Sequence, residues 1–166
     1  IYSIDFSKIA KEMQGKYTLK LSNKAGIIET MCNIFVNVPP TILRDLEDIS
    51  ISEGSECTFS VIIDGNPVPT IEWYKNNTKQ KADKRFNLRF EEKTFYLTIS
   101  EIKSSDHGKY KAIIKNKVGQ IETREASLEV TVGPTITKSL KDIEVIEGKA
   151  LELICEVSGT PRPQAQ

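Results

Sequence analysis

Asp106-His107-Gly108 is the one place in this chain where an imidazole stands beside a carboxylate, the pairing that general acid–base or nucleophilic chemistry requires. His107 is also the only histidine, so a two-histidine metal site has no raw material. With Ser104-Ser105 before it and Gly108 inside it, the triplet reads as an exposed turn. Cys32, Cys57 and Cys155 lie far apart without Cys-x-x-Cys spacing, which argues against zinc and for small core residues. Asn76-Asn77-Thr78 is a sequon, a triplet that a chain with this much asparagine also carries by chance. Lys75, Lys79, Lys81, Lys84 and Arg85 put five cations in eleven residues, with Asp83 alone against them. Such a run is ordinarily a solvated face that discourages edge-to-edge strand pairing; as a binding surface it would take an acidic stretch of another protein. No residue is assigned a catalytic, cofactor-binding or metal-ligating role, and no cofactor is expected.

The elements that position these residues come in repeats. Gly15-Lys16-Tyr17 returns as Gly108-Lys109-Tyr110, Asn23-Lys24-Ala25-Gly26 as Asn116-Lys117-Val118-Gly119, and Ile28-Glu29-Thr30 as Ile121-Glu122-Thr123, all at an offset of 93 residues. Pro40-Thr41-Ile42 returns as Pro134-Thr135-Ile136, and Gly65, Pro67 and Pro69 as Gly159, Pro161 and Pro163, at an offset of 94 residues. That period exceeds a solenoid unit and suits one small autonomous domain. The expected organisation is the C-terminal part of one unit over residues 1–38, a complete unit over 39–133, and the N-terminal part of a third over 134–166. Trp73 would recur one residue past Gln166, so we expect a segment of a longer polypeptide. The 23 basic and 23 acidic residues cancel, which offers nucleic acid no bulk attraction, and no apolar run approaches a membrane span.

Within the complete unit, apolar and polar residues alternate with the period of half-buried strands. Cys57, Phe59, Val61 and Ile63 share one face, as do Leu97 and Ile99, then Tyr110, Ala112 and Ile114, then Leu128, Val130 and Val132. Turn signals at Glu53-Gly54, Gly65-Asn66-Pro67, Asn76-Asn77, residues 104–108 and Asn116 to Gly119 separate them. No stretch has a helical period. The pattern predicts an all-β sandwich of about seven or eight short strands in two antiparallel sheets.

These residues carry a family resemblance. The chain resembles immunoglobulin domains of the intermediate set, in tandem, of the kind found in the giant muscle proteins titin, twitchin and projectin. Trp73 falls where that family has its third-strand core tryptophan, and Asp106-x-Gly108-x-Tyr110 matches its tyrosine corner. Gly65-x-Pro67-x-Pro69 and Gly159-x-Pro161-x-Pro163 resemble the loop after the second strand. The first copy departs at Met13, where the corner aspartate is expected, which leaves the turn bond open there. The Asp106-His107-Gly108 triplet also resembles the metal-binding Asp-Phe-Gly of kinases, but no glycine-rich loop or catalytic-loop motif accompanies it.

The resemblance implies where a sandwich disulfide would lie, joining the second strand to the sixth. Those positions hold Val61 and Ala112 in the complete unit, and Leu19 at the sixth-strand position of the first copy. Only the last copy has the second-strand cysteine, Cys155. Closing a loop of about 50 residues is worth roughly 4 kcal/mol in the chain-entropy model, which an exported protein has little reason to forgo. The reading is therefore a cytoplasmic, sarcomeric, non-catalytic scaffold that binds filament proteins and adjoins further domains of its kind. The runner-up is an extracellular adhesion or matrix protein. A kinase elsewhere in the parent chain is compatible with the first. The prolines at Pro39-Pro40 and Gly133-Pro134 predict a semi-rigid string, with Gly133 allowing more bending.

Overall fold

A computed structural model describes residues 1–165. Thirteen strands and two single 3-10 turns make up its regular structure, as the two-residue periodicity requires. In the central unit the chain runs through β3 (Val38–Arg44), β4 (Ile49–Ser52), β5 (Cys57–Asn66), β6 (Thr70–Lys75) and β7 (Thr78–Lys79). It continues through β8 (Phe86–Glu91), β9 (Thr94–Ile99), β10 (Gly108–Asn116), β11 (Gly119–Glu122) and β12 (Ala126–Lys138). These ten segments exceed the seven or eight strands expected from alternation. The excess comes from short pieces: β4 resumes pairing after Asp45–Asp48, β7 has two residues, and β11 closes the hairpin with β10.

One sheet has the order β3-β5-β9-β8, and the facing sheet runs β12-β10-β6-β7 with β4 parallel to β12. Their inner faces bury Phe59, Val61, Trp73, Leu97, Tyr110, Ala112 and Leu128 in one cluster. Trp73 stands opposite Ala112 in the β6–β10 register, so the smallest core side chain sits beside the largest. Cys57 is buried on the core face of β5, as alternation predicted. No disulfide is present; all three cysteines are free thiols.

The flanks repeat local geometry of the central unit. β1 (Gly15–Asn23) and β2 (Gly26–Ile34) form a hairpin in which Asn23 Oδ1 accepts from Ala25 N at 2.8 Å and Gly26 N at 3.1 Å. Asn116 Oδ1 does the same for Val118 N at 3.0 Å and Gly119 N at 3.2 Å. Tyr17 Oη donates to Met13 O at 2.9 Å, just as Tyr110 Oη donates to Asp106 O at 2.8 Å. The substitution of Met13 for aspartate therefore leaves the corner bond intact, because the acceptor is a backbone carbonyl. β13 (Glu156–Thr160) pairs with the end of β12 in the register that joins β5 to β3, shifted by 94 residues. A Cβ on Gly65 would meet Pro69 Cγ at 2.9 Å, and one on Gly159 would meet Pro163 Cγ at 2.9 Å. Crowding by the second proline of the Gly-x-Pro-x-Pro loop explains its glycine.

Cys32 and Cys155 depart from the expectation of small core residues. Alternation turned Cys32 toward a core, but it is exposed on a hairpin whose face has no opposing sheet among the described residues, and Cys155 is exposed as well. Burial, by contrast, pushes the Cys57 thiol up to about 11. At pH 8, an alkylating reagent should therefore modify Cys32 and Cys155 while Cys57 stays protected until the central unit unfolds. Equal labelling of all three by mass spectrometry would contradict this packing. Tyr110→Phe should cost about 1–3 kcal/mol in denaturant unfolding, because it strands the buried Asp106 carbonyl.

Candidate interaction surfaces

The turn at residues 104–108 gives Asp106 and His107 different surroundings. Asp106 is buried and its Oδ2 accepts from Lys103 N at 2.8 Å and from the Arg85 guanidinium. Arg85 also donates to Ser100 O at 3.2 Å and Glu101 O at 3.1 Å, pinning the start of β8 to the turn. His107 is exposed, whereas Asp106 is buried. A carboxylate engaged by an arginine and a backbone amide has a structural job.

The same packing takes the basic run apart. Arg85 is spent on Asp106, and Lys75 Nζ donates to the carbonyl of Ser105. Lys79 pairs with Glu72 at 2.7 Å, and Lys115 reaches the same carboxylate at 3.3 Å. Hydrogen bonds from Lys79 first, then Lys115, hold the Glu72 carboxyl down at about 2. Lys81 and Lys84 alone remain exposed with no carboxylate within 4.0 Å among the described residues. The five-residue patch anticipated from sequence is thus two free cations.

The sequon also has structural employment. Asn76 Oδ1 accepts from Lys109 N at 2.9 Å, and Asn76 N donates to Lys109 O at 2.9 Å. Its amide lies flat over Gly108, where an added Cβ would come within 2.8 Å of both Nδ2 and Oδ1. The side chain clips the β6–β7 turn to the start of β10.

A third surface is the join between residues 1–38 and the central unit, where sequence pointed to the prolines but not to the side-chain contacts. Lys11 Nζ reaches Asp64 at 3.1 Å, and Asp64 also holds Lys93 at 3.0 Å. Gln14 Oε1 accepts from Asn66 Nδ2 at 2.8 Å and Val36 N at 3.3 Å, while Asn66 Nδ2 donates to Val36 O at 2.6 Å. One repeat later, the positions of Lys11 and Gln14 hold Ser104 and His107, and those of Asp64 and Asn66 hold Ser158 and Thr160. No side-chain hydrogen bond or ion pair of this kind spans Gly133-Pro134 among the described residues; there β12 simply runs on as one 13-residue strand. The first join is latched by side chains, the second carried by backbone.

Residues 40–132 match the model of the immunoglobulin I-set domain. The chain belongs to that family. Relatives include the muscle M-line assembly protein unc-89 of Caenorhabditis elegans, 31% identical over 99% of this chain and 2% of its own length. The limbic system-associated membrane protein of Rattus norvegicus is 30% identical over 98% of this chain and 46% of its own. The I-band fragment I67-I69 from titin superposes with a TM-score of 0.76 at 28% identity, covering 93% of this chain and 54% of that fragment. The chain thus spans less than half the length of these two sequence relatives.

Because each exposed ion pair is worth only about 0.2–1 kcal/mol, the latch should be sensitive to its parts. Lys11→Ala with Gln14→Ala should broaden the distribution of angles between residues 1–38 and the central unit in small-angle scattering and residual dipolar couplings, with the central unit's melting unchanged. An unaltered angular distribution would show that the latch does not set the join.

Proposed function

We propose that this chain is a scaffolding segment of a giant intracellular sarcomere protein, in which tandem immunoglobulin domains bind and space filament proteins. On this reading 39–133 is one complete domain and the flanking segments belong to its neighbours. The observation that carries it is the likeness of 93% of the chain, flanks included, to a three-domain titin fragment. Similarity to a muscle M-line assembly protein across 99% of the chain supports the same setting. Valine and alanine at the implied cross-link positions fit a reducing compartment, and a side-chain latch beside a continuous strand fits a molecule that holds spacing along a filament. A buried Asp106 engaged by Arg85 and Lys103 N beside an exposed His107 favours a non-catalytic role.

A second reading, an adhesion-protein ectodomain, is favoured by the similarity to the limbic system-associated membrane protein. The two differ in a glycan: secretion should leave Asn76 modified, whereas the clip onto Gly108 and Lys109 is made by an unmodified amide.

Expressed with a fluorescent tag in striated muscle cells, the chain should decorate sarcomeres in register and co-sediment with purified filaments. Lys81→Glu with Lys84→Glu should weaken that binding about tenfold and flatten its salt dependence, whereas Lys79→Ala should change it little. Diffuse localisation together with a glycan on Asn76 of the secreted chain would replace the sarcomere reading with the adhesion one.

A further inference from the structure

β8 is the outermost strand of its sheet, bonded on one side only, to β9. Ser100 N donates to Arg85 O at 2.9 Å, which sets the alternation along the pair. The backbone groups of Asn87, Arg89 and Glu91 turn toward β9, and those of Phe86, Leu88 and Phe90 turn outward. Phe86 O is occupied by Asp83 N at 3.0 Å; the N–H and C=O groups of Leu88 and Phe90 have no protein partner among the described residues.

The side chains along this edge are equally open. Leu88 and Phe90 alternate onto the core side of the sheet, yet they remain 40% and 45% exposed. The cause is β7, the outer strand of the facing sheet on this flank, which stops after two residues and leaves the far half of β8 uncovered. Phe90 stacks on Phe95 at 4.3 Å and borders a cleft of about 230 Å³ whose other wall includes Pro69 and the 64% exposed Val68. In the segment that leads from β7 into β8 stand Lys81 and Lys84, the two exposed members of the basic run without an ion-pair partner among the described residues. Unmatched positive charge on the approach to β8 is thus followed by unpaired main-chain groups and an apolar shelf along it. An extended segment is the shape that can use all three.

We propose that the free edge of β8 takes an extended segment of a partner protein, about eight residues long to span the strand and the approach to it, acidic near Lys81 and Lys84 and apolar where it reaches Phe90 and Val68. The main chain of that segment pairs with Leu88 and Phe90. This refines the filament-protein reading, on which it rests for the kind of partner, by naming the edge that binds and the chemistry it selects.

The test uses the whole chain and a fluorescent peptide, Asp-Glu-Asp-Val-Thr-Ile-Thr-Phe, followed by anisotropy. Two further peptides carry N-methyl groups on one or the other set of alternate amides. One N-methylated peptide should bind at least about tenfold more weakly than the other, because only one set faces β8. Lys81→Glu with Lys84→Glu should weaken the parent peptide by about tenfold, and bound peptide should slow hydrogen exchange at the Leu88 and Phe90 amides. The inference is overturned by absence of binding, by equal affinity for the two N-methylated peptides, by an unchanged charge-reversal variant, or by unprotected amides. Dimerisation of the chain alone with the same amides protected would give the edge to a second copy and also overturn it. Filament binding that depends on Lys81 and Lys84 but leaves Leu88 unprotected would sink the edge and keep the filament reading. Peptide binding without filament binding would do the reverse.

Discussion

Close packing around Trp73 sets the separation of the two sheets, and every surface described above hangs from that separation. Its indole is 1% exposed and faces Ala112 across the β6–β10 ladder, while Phe59 and Tyr110 stack with centroids 4.9 Å apart in the same core. No disulfide crosses between the sheets, so apolar burial and dispersion contacts in the core hold them, with polar links such as Asn116 Nδ2 to Val38 O at the rim. Such a core tolerates little change in volume, which is why small residues at 112 and 126 accompany the large ones.

From this core the polar structure is organised outward. Tyr110 belongs to the apolar cluster, yet its hydroxyl reaches the Asp106 carbonyl and fixes the turn before β10. The turn in turn fixes the Asp106 carboxylate, and that carboxylate claims Arg85 at the root of β8. Asn76 ties the β6–β7 turn to the same place from the other sheet. These pairings decide which charges are left over. A cation that a buried carboxylate or a backbone carbonyl has already engaged is a poor contact for a partner, because breaking the existing bond offsets the new one.

The joins show the same logic at larger scale. Residues 1–38 meet the central unit through long polar side chains that the second join replaces with Ser104, His107, Ser158 and Thr160, too short or differently shaped to span it. Repeats that share a fold and a strand register can therefore differ in how firmly they are coupled. The similarity of this chain to a muscle protein and a membrane protein alike accords with a fold that many proteins share, while the exposed side chains determine what each unit touches.

Much of this architecture could be read from sequence. The repeat offsets, the two-residue alternation from Cys57 to Ile63 and from Tyr110 to Ile114, and the placement of Trp73 depend on local periodicity and on residue type, which sequence records directly. The division of the charges could not be read. Lys79 and Lys81 are two residues apart and chemically identical, and only the approach of Glu72 across the strand pair neutralises one of them. Met13 left the corner bond open because sequence shows side chains, whereas the bond goes to a carbonyl every residue possesses. Chain order alone thus determined the all-β repeat and the core face of the central strands, while the exposure of Cys32 and Cys155 depended on the presence of a facing sheet. Which cations and joins stay open was decided by contacts between strands and turns, Lys79 with Glu72 and Arg85 with Asp106 for the charges and Lys11 with Asp64 and Gln14 with Asn66 for the join, and such encounters exist only once the strands are paired and packed.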